Sequence, residues 1–261
     1  VRIIQQKFAE YYRKNSASIP LPSELRRREF GFLMFKEGVM IRHKGFSEAN
    51  ELRRFIETNT PSDIYYSSAY YERSEEPMEK KGWLGADLIF DIDADHIPTT
   101  CKAQHELWRC QGCGTTGLGV KPGKCPKCGS NKFEDDTWPC KNCLEVAKFE
   151  TLKLIDFLQE DFGFAEKGFK ICFSGQRGYH VHVESETAKS LDQLARKEIV
   201  DYMLGTGLDP ETHGVYERGS SRAHDVIGPA VHDLGWRGRL ASGVFQLVTE
   251  SSVEQFEAIG V

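Results

Sequence analysis

The segment Asp87-Leu-Ile-Phe-Asp-Ile-Asp-Ala-Asp95 contains four aspartates, and two of them, Asp91 and Asp93, stand two positions apart beside large apolar residues. In a β-strand, Asp91 and Asp93 point to the same face, with their Cα atoms about 7 Å apart. Such a pair can hold two hard cations about 3.5–4 Å apart, the arrangement that catalyses nucleotidyl transfer. The alternatives are a solvent-facing edge strand and an aspartate cluster that caps the next turn. The apolar neighbours favour a well-buried strand, where like charges need a cation.

A second candidate segment is Ser-Gly-Gln-Arg-Gly, residues 174–178, which lies between two runs with β-type patterns. Its glycines allow backbone amides to approach an anion closely. Arg177 is a permanent forked donor for phosphate, and Ser174 and His180 are further donors. The alternative is an ordinary glycine turn followed by two hydrogen-bonded histidines, His180 and His182. With the acidic strand, the segment completes a polymerase-like set of carboxylates for metals and donors for a triphosphate.

Eight cysteines are present, and six of them form three Cys-x-x-Cys pairs. Two of these pairs are each followed by a glycine that permits a tight turn around a metal. Four thiolates leave no open position on a tetrahedral ion, so the predicted zinc ribbon is structural. Its ligands are Cys110, Cys113, Cys125 and Cys128.

Four more ligands lie just outside this ribbon: Cys101, His105, Cys140 and Cys143. They would complete a second tetrahedron if the ribbon were inserted at the tip of a stem, so we predict two zinc ions. The competing arrangement is one ribbon and a spare cysteine pair, with Cys101 and His105 incidental. Cys172, in an apolar run, is predicted to be a buried free thiol.

The elements that must position these residues follow from hydrophobic period and turn signals. They predict an α/β domain, residues 1–100 and 144–261, with a cysteine-rich module at 101–143 inserted in it. The predicted elements are helices at 1–14, at 47–57 after a cap at Ser47, at 144–158 and from Leu191 to Gly205, a hairpin over 30–41, a strand at 86–93, and paired strands at 169–173 and 179–184.

Composition limits the class of protein. The 261 residues are 39% hydrophobic and 11% aromatic, enough for a substantial core, and the net charge is −5. Phosphate binding must therefore come from local patches, such as Arg26–Arg28 or Arg53 and Arg54, although such runs are also typical of solvated helix faces. The first thirty residues carry charges where a signal peptide is apolar, and no membrane-length apolar run follows, so we expect an intracellular protein.

The motifs, in their order along the chain, resemble the small subunit of archaeal and eukaryotic type DNA primases. The resemblance runs from near the start to about residue 210. It implies the archaeo-eukaryotic primase fold, a mixed or antiparallel sheet flanked by helices, with an inserted zinc-binding stem. The segments that carry it are Arg28-Glu-Phe-Gly-Phe, Tyr65-Tyr-Ser-Ser-Ala-Tyr-Tyr-Glu72, Gly85 to Asp95, Glu160-Asp-Phe-Gly-Phe164 and Ser174-Gly-Gln-Arg-Gly-Tyr-His180.

The resemblance also implies roles for single residues. Asp91 and Asp93 would bind catalytic Mg²⁺ or Mn²⁺, whereas Ser174, Arg177 and His180, with Arg28 as a weaker match, would contact the incoming triphosphate. The zinc stem of the family has ligands that resemble Cys101, His105, Cys140 and Cys143, so the Cys110–Cys128 ribbon looks like an addition within that stem.

The resemblance further implies template-directed primer synthesis from nucleoside triphosphates on single-stranded DNA, with a large iron–sulfur subunit as partner, no membrane, and a cytoplasmic location if the source is archaeal. The family's third catalytic aspartate and a following Ser-Leu-His-Gly type segment have no match before Val261. An N-terminal portion of the subunit, a second polypeptide or a rearranged end would each explain this. The rival functions are a catalytically incomplete zinc-ribbon subunit that binds nucleic acid or supports assembly, and a related repair polymerase, which the zinc stem disfavours.

Overall fold

The structure is a computed structural model that describes residues 2–35, 38–136, 139–214, 216–220 and 223–252. It is a mixed α/β protein. Within these residues the α-helices are α1 (Arg2–Asn15), α2 (Ala49–Asn59), α3 (Lys102–His105), α4 (Lys141–Glu160), α5 (Glu186–Ser190), α6 (Gln193–Met203) and α7 (Trp236–Glu250).

The strands form several small sheets, with the orders β2-β1-β3, β10-β11-β6, β4-β5, β8-β7-β9 and β12-β13. Their bounds are β1 (Phe30–Met34), β2 (Met40–Lys44), β3 (Pro61–Tyr66), β4 (Ala69–Tyr71), β5 (Trp83–Ala86), β6 (Leu88–Asp93), β7 (Leu107–Cys110), β8 (Thr116–Leu118), β9 (Phe133–Asp136), β10 (Phe169–Phe173), β11 (Gly178–Val183), β12 (Tyr216–Ser220) and β13 (Ala223–Ile227).

The chain divides into two compact units. The first comprises Val1–Asp91, Gly168–Ser174 and His180–Leu194, and the second comprises Ile92–Lys167, Gly175–Tyr179 and Ala195–Val261. No described helix is both long and apolar enough to cross a membrane.

The main core of the first unit lies between α1, α2 and the antiparallel sheet centred on β1. Phe30 and Phe32 lie two residues apart on β1, so their side chains share the face that meets Leu52 and Ile56 of α2. The hydroxyl of Tyr12 in α1 donates to the carbonyl of Pro61 at 3.0 Å. The predicted N-terminal helix and hairpin are both confirmed here.

The N-cap of the second helix lies one residue later than predicted. It is Glu48, not Ser47, because Glu48 and Glu51 form a reciprocal capping box. The backbone N–H of Ser47 instead donates to the carboxylate of Glu51 at 2.8 Å. Leu191 likewise lies outside the helix predicted for it, between α5 and α6.

The second unit is organised around α4 and the small sheet centred on β7. Ala147 and Cys143 lie one helical turn apart on α4 and pack against Ala94. Further along, the ring of Trp236 lies 5.5 Å from that of Phe157 and 6.2 Å from that of Tyr202. This aromatic cluster joins α4, α6 and α7.

The strand predicted over 86–93 is interrupted at Asp87, which lies between β5 and β6. Asp87 is buried and accepts hydrogen bonds from Arg28 Nη2 at 2.6 Å and from the hydroxyl of Tyr70 at 2.5 Å. Burial, and next the bond to Asp87, raise the pKa of Tyr70 to about 12. The interruption therefore arises because Asp87 turns inward to a buried cation.

Arg28 itself is fully buried, with its guanidinium 3.7 Å from the ring centre of Tyr70. Its five N–H donors match five acceptor contacts: Asp87 Oδ2, Ser23 Oγ and the carbonyls of Ser23, Ser67 and Ser68. This geometry does not support the predicted contact between Arg28 and a nucleotide. Arg28 instead connects the start of β6 to two loops.

Cys172 is exposed, so the prediction of a buried thiol is wrong. It lies on β10, where Ile171 and Phe173 are also about half exposed. The apolar run suggested burial, but a strand side chain is buried only where another element packs on its face of the sheet, and the side chains on both faces of β10 are exposed here.

We expect Arg28→Met to lower the free energy of unfolding by about 3–5 kcal/mol, because Asp87 would stay buried without its cation. Urea unfolding measures this. The matched control is Arg27→Met, which removes an exposed ion pair with Glu24 and should cost less than about 1 kcal/mol. Equal effects of the two substitutions would contradict the structural role of Arg28.

Candidate functional site

The two aspartates lie on β6, Asp91 with a 60% exposed side chain and Asp93 with a 13% exposed one. Leu88 is buried, but Ile89 is 40% exposed. The strand is therefore less buried than predicted, and one face of it is open to solvent. An open face admits a cation and a substrate more easily than a sealed core does.

Residues 174–177 connect β10 to β11, and Gly175 within them has φ of +87°. Gly178 opens β11 at a place where a Cβ atom would lie 1.9 Å from the carbonyl oxygen of Ile92. Only glycine permits this approach. The adjacent Ala94 N–H donates to the carbonyl of Arg177 at 2.9 Å, which fixes the turn to the end of β6.

Arg177 lies directly over the acidic segment. Its Nε donates to Asp93 Oδ2 at 3.1 Å, and its Nη1 donates to Asp95 Oδ2 at 2.8 Å. The side chain of Arg177 remains 40% exposed. The guanidinium therefore offsets the repulsion between two carboxylates while it stays accessible from solvent.

In the first unit, His180 Nε2 lies 3.3 Å from Asp91 Oδ1, an ion pair when the imidazole is protonated. His182, two residues on, has its Nδ1 3.4 Å from the hydroxyl of Tyr66. Burial, and next the charge of His180, lower the pKa of His182. Ser174, which follows β10, is half-buried.

The outer group of four metal-type ligands has its ligand atoms within 4.8 Å of one another. Cys101 Sγ lies 3.4 Å from Cys143 Sγ and 3.7 Å from Cys140 Sγ, and His105 Nε2 lies 3.2 Å from Cys143 Sγ. Tetrahedral zinc with bonds of about 2.3 Å places sulfurs about 3.8 Å apart. The spacing suits such an ion.

The inner group is equally compact and is built from two equivalent turns. Cys110 Sγ lies 3.5 Å from Cys128 Sγ, and Cys113 Sγ lies 3.7 Å from Cys125 Sγ. Each turn ends in a glycine with positive φ, Gly114 or Gly129, whose N–H returns to the first cysteine's carbonyl at 2.8 or 2.9 Å. Hydrogen bonds from the side chain and then the backbone of Thr115 lower the pKa of Cys113 to about 6. At Cys128 a backbone bond from Ser130 lowers the pKa, but hydrogen bonds with Cys113 and Cys110 raise it to about 12, so without a metal the four sulfurs share protons.

The chain is similar to known proteins along most of its length. A profile of the DNA primase small subunit family matches residues 129–234. The chain is 35% identical to the DNA primase small subunit PriS of Cenarchaeum symbiosum over 98% of this chain and 67% of that protein. It belongs to the DNA primase small subunit family.

Other primase small subunits are similar to this chain as well. The PriS proteins of Methanothrix thermoacetophila and Archaeoglobus fulgidus are 37% and 43% identical over 94% and 77% of this chain, and the matches cover 55% and 49% of those proteins. The chain thus spans about half to two thirds of the length of these primase small subunits.

Sequence reasoning assigned no role to two neighbours of the acidic pair, Asp95 and His96. Together with Asp93, they place ligand atoms within 4.8 Å of one another. Asp95 Oδ1 is buried and has no hydrogen-bond partner among the described residues. The sequence does hold a sign of this role, because Asp95 continues the every-second-residue spacing of Asp91 and Asp93. The residues that flank Asp95 do not have a strand pattern, however, so the spacing alone did not place its side chain beside the pair.

Three other arginines of the predicted basic patches, Arg26, Arg27 and Arg53, have partners within the protein. Arg26 Nε donates to the carbonyl of Ser47 at 2.8 Å, and Arg27 pairs with Glu24 at 2.8 Å. Arg53 Nη2 donates to the carbonyl of Ala17 at 3.1 Å. Arg26, Arg27 and Arg53 therefore each have a partner within the protein.

An NMR titration should place the pKa of His182 below the ordinary histidine value of about 6.5. Because the unfolded chain binds this proton first as the pH falls, the contribution of His182 to stability is present above about 6.5 and is lost below it. His180→Ala should raise the pKa of His182 only in part, since burial remains. His43→Ala, at an exposed distant site, should leave it unchanged, and an unchanged value in His180→Ala would contradict the coupling.

Proposed function

We propose that this chain catalyses template-directed primer synthesis on single-stranded DNA. A nucleotide 3′ hydroxyl attacks the α-phosphate of an incoming nucleoside triphosphate, a new phosphodiester forms and pyrophosphate leaves. The observation that supports this most directly is the pairing of the carboxylates of β6 with the basic donors of the 174–180 segment: Asp93 with Arg177, and Asp91 with His180.

The donor set fits Mg²⁺ or Mn²⁺, which prefer carboxylate oxygens. Asp91 and Asp93 would hold the ions. Asp95 is a neighbouring carboxylate with a buried oxygen that lacks a partner among the described residues, which supports a cation requirement at this end of the strand. When bound, the ions would lower the pKa of the attacking hydroxyl and stabilise the leaving pyrophosphate.

Arg177 and His180 would then orient the triphosphate. Both side chains are 40% exposed and already lie within ion-pair distance of the acidic residues. A planar guanidinium can bridge carboxylate and phosphate oxygens, so Arg177 can retain Asp95 while it binds phosphate. Ser174, half-buried at the start of the same turn, is a third proposed donor. Arg28 has a structural role in this proposal.

Both cysteine groups are proposed to bind zinc, one ion in the outer stem and one in the inner ribbon. The two sites are structural, because each already supplies four ligands and leaves no position for substrate. This completes the proposed architecture, a primase fold with a zinc-binding stem that carries an additional ribbon.

The partners proposed for the chain follow from the names of its relatives and from the resemblance. A small subunit implies a large subunit, which the resemblance identifies as the iron–sulfur subunit of primase. Single-stranded DNA and nucleoside triphosphates are the proposed substrates.

Labelled-nucleotide incorporation with Mn²⁺ on a single-stranded template tests the function, with the chain alone and with the large subunit of a homologous primase. Asp91→Asn and Asp93→Asn should each reduce incorporation at least about a hundredfold, because metal-ion stabilisation contributes several kcal/mol. Asp63→Asn, an exposed aspartate on β3, is the control and should match the wild type.

Absence of product in both variants, but not in the control, would support the primase site. If no mixture forms product, or if the two variants remain active, the catalytic proposal is wrong. A binding or assembly subunit would then be the better interpretation.

Metal analysis of the purified chain should give two zinc ions. Cys128→Ser should remove the ribbon ion and keep the other, whereas Cys143→Ser should remove the stem ion and also destabilise the unit, because Cys143 is buried beside Ala147. One ion in the wild type, unaffected by Cys143→Ser, would favour a single ribbon with a spare cysteine pair.

A further inference from the structure

The inner ribbon has no part in the proposed chemistry, yet its charge differs from that of the whole chain. Between Leu107 and Phe133 there is no acidic residue, although the net charge of the chain is −5. The two negative charges left by a zinc ion with four thiolates do not offset the cations of this segment. The cations, all exposed, are Arg109, Lys121, Lys124, Lys127 and Lys132.

One side of this ribbon forms the wall of a cavity of about 580 Å³ within the second unit. The lining also includes Gln176 and Arg177, from the turn before β11, and the carboxylates of Asp95 and Glu106. Val120 and Lys121 follow β8 on the ribbon side. The ribbon therefore brings a cation and an apolar side chain to the same cavity as the arginine that pairs with Asp93.

The ribbon wall is held in place by local packing. Trp108 of β7 lies 5.4 Å from the ring of Phe133, edge to face. Gly117 of β8 leaves room for the indole of Trp108, since a Cβ there would lie 2.2 Å from Trp108 Cζ2. The N–H of Gly119 donates to the carbonyl of Glu106 at 2.7 Å. The loop with Val120 and Lys121 is thus anchored at the cavity itself, since Gly119 also lines it.

The cavity combines two chemistries. Leu107 and Val120 are 43% and 71% exposed, so they offer apolar surface to a flat, weakly polar group. Lys121 offers a cation to a template phosphate, while Arg177 in the same cavity keeps its proposed role with the triphosphate. A base and its phosphate meet both requirements together. Sequence-independent binding of a single strand uses this combination of a charged groove with contacts to the faces of bases.

We propose that this surface, which we name the ribbon groove (the cavity together with Lys121, Lys124 and Lys127), binds the single-stranded template. The strand would follow the exposed lysines by its phosphates and place one nucleotide in the cavity beside Arg177. Charge complementarity favours a nucleic acid over a protein partner, because the cations of the ribbon lack interspersed acids. This inference rests on the proposed function and gives the added ribbon a role in holding template.

Fluorescence anisotropy with a labelled single-stranded oligothymidylate tests the proposal without any need for catalysis. Lys121→Glu and Lys127→Glu should each raise Kd about threefold or more, because each variant leaves one phosphate without its cation. The slope of log Kd against log salt should become shallower by about 0.7 for each phosphate of a single strand that is no longer neutralised. Zinc content should stay at the wild-type value, since neither lysine is a ligand.

The matched control is Lys148→Glu, an exposed lysine of α4 in the same unit with the same change of charge. It should leave Kd and the salt slope unchanged. Wild-type affinity in both ribbon variants would overturn the ribbon groove, as would an equal weakening in the control. Ribbon variants that keep oligonucleotide affinity but no longer bind the large subunit would also overturn it, in favour of a protein interface.

Failure of the inference is distinguishable from failure of the proposed function. If the wild type incorporates nucleotides but the ribbon variants bind oligothymidylate normally, the primase function stands and the ribbon groove is wrong. The opposite result is also possible: the wild type incorporates no nucleotide, but the ribbon variants bind oligothymidylate more weakly than the wild type does. In that case the ribbon groove is a nucleic-acid site and the catalytic proposal is wrong.

Discussion

The candidate site depends on one close approach between backbones. Gly178 lies against the carbonyl of Ile92 so closely that any side chain at position 178 would collide with it. The neighbouring bond from Ala94 N–H to the carbonyl of Arg177 continues the contact. Because residues 177 and 178 are fixed to residues 92–94, the guanidinium of Arg177 reaches two carboxylates at once. A larger residue at 178 would separate these strands and move the basic donor away from the acids.

The aspartates along β6 lie in opposite environments, one buried and one exposed to solvent. At the start of β6, Asp87 is buried with Arg28 and Tyr70, and this network holds the strand to the loops around Ser23 and Ser67. Further along, Asp91 faces solvent beside a histidine that must be protonated to pair with it. A buried ion pair resists change because either partner alone is costly, whereas an exposed pair is weak enough to exchange for a ligand. The same strand thus combines a rigid anchor with an adaptable end.

The cysteine module shows how a segment poor in large apolar residues can hold its shape. Trp108 and Phe133 form a small apolar contact between β7 and β9, but most of the order comes from turns whose N–H groups return to cysteine carbonyls. Such turns align sulfurs before a metal binds, and metal binding then contributes to folding. The module therefore presents a charged surface on a scaffold that hydrophobic burial alone would not stabilise.

Local sequence pattern alone predicted several of the helices and strands and the cysteine pairs. The spacing of apolar residues predicted helices α1, α2, α4 and α6 and strands β1, β2, β6, β10 and β11. The three Cys-x-x-Cys pairs were equally visible, because each of these signals lies within a short stretch of chain. Burial and partner choice were decided only by the tertiary structure. The sequence made Arg28 a candidate phosphate ligand, but Asp87, far along the chain, holds its guanidinium. Cys172 lies in an apolar run, yet its side chain is exposed because nothing in the described structure covers it. The contact between Arg177 and Asp95 was likewise decided by the tertiary structure. These residues are far apart in the sequence, and a short stretch of sequence does not determine which distant segments meet.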